Sequence, residues 1–539
     1  MLGGILLVAL ALRALWAFGV LRDRVVWGDE PFYLWLGRNL TTTGFYSFTG
    51  SWDVHHTPLY PLVSGLVYLL TGDLQRASDL CYLLFGTLLV LPVYALGRDL
   101  YGQAAGLASA AVVAVLPSLV VGPLLWGTMT EPPFLFLVAG GMWGLWRGVR
   151  RGWTAGYALA GVAFGLAYLA RPEAIWYPVA LGGYLALVGL LRREWRAVPW
   201  LRLLALGGAF LLAIFPYLAY VRVHTGHWMV SEKVGVAYEH GFALGHRDYA
   251  AFDRAAWGLD SAGREVRFFS PETYTLSLAE QIRADVPGFL RLLRLNTLRF
   301  VETLSAVRFF PGHLIPLVAV GFFRRPWDRR RLEGEAFLGA SAVPVCSFLL
   351  FQVLDRYMAP LLLLGALWLG KGLAEWGDWA VETARALRAK DLPPALEATL
   401  RAGLVLLVGV FLLALQPSVQ EALHVPNSFR PDHRTVGEWL RDHTEPDAAV
   451  MSRYPAIAFH AERRWVATAN APLEDLRRYA LGHGVDYFVV DRRELGLRPQ
   501  FTPLVEGGPA PDWLEEVARF RTGEEVLVVY RLRGEAGGG

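Results

Sequence analysis

The sequence predicts a polytopic α-helical membrane protein followed by a smaller external α/β domain. Three observations predict it. Of the 539 residues, 54% are hydrophobic and 18% charged, and the mean hydropathy is +0.35, whereas soluble domains are about a quarter charged. The charge is also uneven, with 34 of the 99 Asp, Glu, Lys and Arg lying in the last 123 residues, from Pro417 on. Finally, apolar runs able to cross about 30 Å of hydrocarbon recur through the first 416 residues. The domains are then residues 1–416, a membrane body, and 417–539, an extracytoplasmic α/β domain. A soluble single-domain enzyme, a disordered chain and a disulfide-stapled module are excluded.

The net charge of +3 makes no electrostatic case for nucleic acid. Cys81 and Cys346 both lie in apolar runs and suggest no disulfide. The apolar N-terminus lacks a small-residue cleavage site, which favours a retained first span.

Spans are expected near 3–21, 78–97, 103–122, 126–146, 153–170, 174–191, 200–220, 304–323, 336–354, 357–374 and 401–416, eleven in all. Arg98, then Arg147, Arg150 and Arg151, then Arg192, Arg193 and Arg196, then Arg324, Arg325, Arg329, Arg330 and Arg331 fall in alternate loops. Placing those loops in the cytoplasm obeys the positive-inside rule four times. The N-terminus is then cytoplasmic and the C-terminus outside. The short apolar stretch 58–70 lies at the outer interface, and 376–400, with Arg385, Arg388 and Lys390, is a cytoplasmic interfacial helix. Segments 22–77 and 221–303 become external loops, the second with amphipathic pieces suited to headgroups. In the tail, His433 to His443 reads as a helix, and Tyr487–Val490 and Val526–Tyr530 as strands.

Ionisable groups at membrane depth are costly, so their location points to function. Here they collect at outer span ends. Asp29 and Glu30, in Trp27-Gly28-Asp29-Glu30-Pro31, suit either a helix cap or a general base. His55 and His56 are either solvated or phosphate donors, or complete a divalent metal site with Asp29. Glu131 is either functional or the partner of an arginine. Arg171 and Glu173 form a tight turn that is functional or paired within itself. Arg356 pairs with Asp355 or binds phosphate bidentately, and Lys233 is a second phosphate candidate. A transporter would place polar groups near the midplane, on broken helices in repeated halves, and neither is evident in the sequence. That class remains the rival, as a transporter or flippase of lipid-linked saccharides.

In this order, Gly28-Asp29-Glu30, Thr57-Pro58-Leu59-Tyr60-Pro61, Gly97-Arg98-Asp99-Leu100-Tyr101-Gly102, Thr130-Glu131-Pro132, Arg171-Pro172-Glu173 and Asp355-Arg356-Tyr357 resemble the GT-C glycosyltransferases. The similar branch contains the dolichyl-phosphate-mannose protein mannosyltransferases and the lipid A aminoarabinose transferase. The resemblance spans residues 1 to about 375 and implies a GT-C-like fold. It implies an inverting transfer of sugar from a polyprenyl-phosphate donor to a protein, lipid or glycan acceptor at the outer membrane face. Carried over, Asp29 is the base with Glu30 beside it. Arg356 and Arg171 hold phosphate, with Tyr357 adjoining. Glu131 and Glu173 face the cavity, and Tyr60 belongs to the Pro-Leu-Tyr-Pro block. His56 and Thr57 stand where the aminoarabinose branch has a lysine before that block, which leaves the phosphate-facing role to His55 or His56. No cofactor is required by this expectation, and a divalent metal stays open.

Overall fold

The computed structural model describes residues 1–191, 198–324, 326–388, 393–400, 402–403, 420 and 430–533. The expected span 401–416 and Arg192, Arg193, Arg196, Arg325 and Lys390 lie outside the described residues.

Among the described residues, six stretches are long and apolar enough to cross a membrane: Leu2–Val20, Leu74–Tyr101, Pro172–Leu191, Trp200–Thr225, Arg329–Leu350 and Asp355–Arg385. Leu59–Thr71, Gln103–Val115, Thr154–Ala170 and Gly312–Phe323 are apolar helices of shorter reach. Packed together with Glu131–Arg151 they bury a large apolar core that includes Leu96, Val113, Val138, Phe164, Leu338 and Leu363, and a smaller one about Ala17, Tyr60, Cys81 and Tyr82.

Several expected boundaries move for local reasons. The expected interfacial helix at 376–400 is in large part the continuation of a 34-residue helix, Asp355–Arg388. The run at 304–323 is not one helix, since Val286–Ser305 ends there and regular α-helix resumes only at Ile315–Phe323. The run at 103–122 breaks at Leu116, whose extended backbone precedes Pro117 as proline requires of its neighbour. Two single turns follow, Pro117–Val120 and Gly122–Leu125, before the helix Glu131–Arg151 starts with prolines in its first turn.

Irregular backbone at membrane depth survives only when enclosed in protein, and here every residue from 116 to 131 except Trp126 is buried. Arg13, fully buried in the first helix, donates to the carbonyls of Val113, Ala114 and Leu119 that the break leaves open. The expectation that ionisable groups gather on the outer side therefore misses Arg13, and the absence of broken helices is also corrected.

The arginine loops do meet. Arg147 Nε lies 3.1 Å from Asp99, Arg330 Nη2 donates to the Asp99 carbonyl at 3.1 Å, and Arg150 Nη1 lies 3.2 Å from Glu333. Glu131–Arg151 runs from the polar cluster described below to this arginine end, about 30 Å at 1.5 Å per residue.

The C-terminal region is a five-stranded sheet of β1 (Ala449–Ser452), β2 (Arg464–Ala467), β3 (Tyr487–Asp491), β4 (Leu514–Thr522) and β5 (Glu525–Leu532). Its order is β2-β1-β3-β5-β4. The first three strands run parallel, and β5 is antiparallel to β3 and β4. Helices Pro431–His443, Pro455–Ala461 and Leu473–Gly482 complete it. Val26, Phe32, Leu34 and Trp35 of the segment 22–77 share one core with Val450, Phe488 and Val528 of this sheet, so the tail is docked on that segment.

Candidate active site

The turn Trp27–Glu30 is built by close approach. Gly28 has φ +64°, and a Cβ there would stand 2.7 Å from the Gly127 carbonyl oxygen. That oxygen accepts from Asp29 N at 2.8 Å and Glu30 N at 3.0 Å. The buried break at 116–131 thus holds the first connecting segment in place. Its strain is visible at Met129, a non-glycine residue at φ +61°, in the left-handed region that sites tolerate at a cost.

The turn sends its two carboxylates in different directions. Asp29 occupies the cap position of the helix Glu30–Thr43 but makes no capping hydrogen bond. Its side chain is 43% exposed and faces Arg356 Nη2 at 3.6 Å. Burial opposes its ionisation, but Arg356, Lys233, His56 and Arg171 outweigh this and hold the carboxyl below its ordinary value. Glu30 is buried, with both oxygens taken by Arg24 at 2.8 and 2.7 Å and one also by Ser78 Oγ at 2.6 Å. Arg24 also grips Asp79 at 2.8 Å, and the Tyr60 hydroxyl shares a 2.9 Å hydrogen bond with Ser78. Glu30 and Tyr60 therefore belong to a buried supporting network and not to the surroundings of Asp29.

The guanidinium groups divide likewise. Arg171 bridges Glu131 and Glu173 and lies over the rings of Phe134 and Tyr357. Glu131 is buried and also accepts from Thr128 Oγ1. Asp355 pairs with Arg308 Nε at 2.7 Å and not with Arg356. Arg356 touches the Tyr357 hydroxyl at 3.2 Å, and its buried Nε has no partner among the described residues. Lys233 Nζ sits over the Phe268 ring at 5.7 Å and makes no ion pair among the described residues. These two cations retain open donors.

Both histidines are anchored by carboxylates. His55 Nδ1 lies 2.5 Å from Glu232 and its ring stacks on Phe268, while Glu232 also accepts from Thr273 at 3.0 Å. His56 Nδ1 lies 3.0 Å from Asp53, and its ring meets Tyr33 edge-on. Burial, then Lys233, pushes the His56 imidazole below its ordinary value, against Asp53 and Asp29. Among the described residues no three His, Cys, Asp or Glu side chains converge as a metal site would need.

Asp29, His56, Lys233, Arg171 and Arg356 thus interact as one cluster, which Arg171 extends to the buried Glu131 and to Glu173 and Tyr357; the partly exposed Asp29 marks its open side, the recess of the site. Next to it a narrow slot is lined by Phe134, Glu173, Tyr177, Val345, Phe348 and Tyr357. The supports that sequence reasoning missed are Arg24, Asp53, Ser78, Asp79, Gly127 and Thr128. Asp53, three residues before His56, and Thr128, three before Glu131, carry a local signal.

Residues 55–220 match the family described as dolichyl-phosphate-mannose-protein mannosyltransferase. No curated protein matches the chain by sequence. ArnT from Cupriavidus metallidurans, solved bound to undecaprenyl phosphate, is 17% identical with a TM-score of 0.57, covering 97% of both chains. The archaeal oligosaccharyltransferase AglB from Archaeoglobus fulgidus, in complex with an inhibitory peptide and a dolichol-phosphate, is 14% identical with a TM-score of 0.54. That match covers 92% of this chain and 70% of AglB. Both are GT-C glycosyltransferases, and this chain has their fold and resembles them.

Proposed function

We propose that this chain is a membrane glycosyltransferase that moves a sugar from a polyprenyl-phosphate donor to an acceptor, inverting the anomeric carbon. The observation that carries this reading is the pairing of a part-exposed, ionised Asp29 with Arg356, whose buried Nε has no partner among the described residues. Displacement needs those two halves. The acceptor O–H or N–H attacks the anomeric carbon and its proton goes to Asp29, while the bond to the phosphate oxygen breaks and its electron pair leaves with the phosphate. Departing charge requires fixed cations, and Arg356 and Lys233 have donors to give. Arg171, already held by Glu131 and Glu173, shapes the recess, and His56 is a neutral donor or acceptor beside it.

Unliganded, Arg356 depresses the proton affinity of Asp29. A donor phosphate that draws Arg356 away restores it, so the base strengthens when the substrate is in place. The recess lies at the end of Glu131–Arg151 opposite the gathered arginines, which supports an outer-face site, a cytoplasmic N-terminus and an external tail. Eleven spans remain the proposal, the last of them at 401–416. Neighbours solved with undecaprenyl phosphate and dolichol-phosphate support the donor class.

The break at 116–131 is the one observation that favours a transporter or flippase. Its open carbonyls, however, are closed by Arg13 and by the turn carrying Asp29, which makes it a support and not a conduit. Asp29→Asn decides between the two. A transferase loses roughly 10²–10⁴-fold in kcat, the range of general-base catalysis, in membranes supplied with labelled polyprenyl-phosphate sugar. Unchanged transfer would remove Asp29 as the base, and headgroup translocation without any transfer would favour the flippase.

A further inference from the structure

Parallel strands of the tail end along one edge, with Ser452 closing β1, Ala467 closing β2 and Asp491 closing β3. In open α/β sheets that edge is where a ligand sits. Here it is filled from outside the tail. Asp253, on the helix Tyr249–Trp257 of the segment 221–303, is completely buried against it. Its Oδ1 accepts from Arg453 Nε at 3.1 Å and Nη2 at 2.7 Å. Its Oδ2 accepts from Arg498 Nε at 2.9 Å and Asn470 Nδ2 at 2.9 Å. Asn470 N also donates to the Trp257 carbonyl at 2.7 Å. Arg498 Nη2 and Thr468 Oγ1, both on this edge and both buried, have no partner among the described residues. The edge is therefore rich in donors, and a carboxylate of the body is its ligand.

The tail grips the other connecting segment as well. Val26 N donates to His460 Nε2 at 3.3 Å, and Phe32 packs on Trp465 with ring centroids 5.0 Å apart. Val26 is three residues before Asp29. Lys233 opens the helix Lys233–Gly245, which packs on the helix bearing Asp253. Arg267, paired with Glu239 of that helix at 3.0 Å, adjoins Phe268 under Lys233.

We infer that the tail is a clamp on the recess, and that Asp253, docked as the built-in ligand of its sheet edge, is a positioning residue that holds Lys233 in place relative to Asp29. The inference rests on the proposed donor site, because Lys233 matters there as a phosphate ligand. Shared apolar packing already attaches the tail. Buried ion pairs add little net stability over apolar contacts but admit few geometries, and a carboxylate between two arginines and an asparagine amide admits one.

The test uses the full chain in lipid nanodiscs. Asp253→Asn, Arg453→Gln and the double variant are compared by amide hydrogen exchange and by binding of undecaprenyl phosphate. Exchange over Lys233–Gly245 is expected to rise about tenfold in each single variant, a coupling of ordinary size, while β1 and β3 stay protected. Undecaprenyl phosphate binding is expected to weaken by a similar factor, and the double variant to be no worse than either single one. Unchanged exchange over Lys233–Gly245, additive effects in the double variant, or loss of protection throughout the tail would each overturn the clamp. If the unaltered chain binds no undecaprenyl phosphate, the donor reading falls, and the exchange data still decide whether Asp253 positions the segment.

Discussion

Asp29 and Glu30 are neighbours in sequence and opposites in the fold. The sequence places a carboxylate pair after the first span, yet nothing local says which one a buried arginine will claim. Arg24 makes that choice by filling the space behind the turn. Arg356 shows the same limit: Asp355 beside it was an equal candidate for its partner until Arg308, 47 residues away in sequence, took that carboxylate. What was legible is the residue types at span ends, because charge at the membrane edge is scarce. The pairings were not, because they join segments far apart along the chain. The Asp29–Arg356 contact has a measurable consequence. Asp29 must be ionised to accept a proton, and Arg356 favours its ionised form, so removing the cation raises its pKa. Arg356→Gln is therefore expected to move the acid limb of the kcat/KM profile to higher pH. In the unaltered chain the limb of kcat, with donor bound, should lie above that of kcat/KM. A limb that stays put in Arg356→Gln would show that Asp29 does not govern it.

Apolar periodicity located most body helices, and it failed where backbone chemistry outranks hydropathy. The run 103–122 is apolar along its length, but Pro117 within it, and Pro123 and Gly127 after it, turn the stretch before Glu131–Arg151 into irregular chain. Hydropathy cannot register this, since buried irregular backbone needs the same apolar side chains. Arg13 was hidden for the converse reason, a single charge in a run whose average remains strongly apolar. Its four carbonyl contacts, to Ala9, Val113, Ala114 and Leu119, make it the support of the break and, through Gly127, of Asp29. Arg13→Met keeps length and apolar bulk but leaves carbonyls buried and open, at about 1–3 kcal/mol for each unsatisfied group. Thermal unfolding in detergent should show a marked loss of stability. Arg22→Gln, at a residue 73% exposed, should change stability by less than about 0.5 kcal/mol. Equal melting of the two variants would mean that the break does not depend on Arg13.

Composition foretold two regions, and the helix and two strands read in the tail appear as Pro431–His443, β3 and β5. Their union was not legible, because the shared core of Val26, Phe32 and Trp465 has no signature in either stretch alone. That union should respond to pH through His460. Its Nε2 accepts the Val26 amide hydrogen, which requires the neutral ring. Burial first, then the fields of Arg434, Arg24, His433 and Arg441, push its pKa down from 6.5 to about 3. A histidine depressed in the docked state binds its proton more readily when released, so docking is strongest above about pH 6.5 and weakens as pH falls toward 3. By linkage the loss reaches about 2 kcal/mol at pH 5. Amide exchange at Val26 and along Glu30–Thr43 should accelerate over that window. His460→Gln, which retains an acceptor and has no proton to gain, should remove most of the dependence. If exchange in both proteins rises equally on acidification, another group governs docking and His460 is a packing residue.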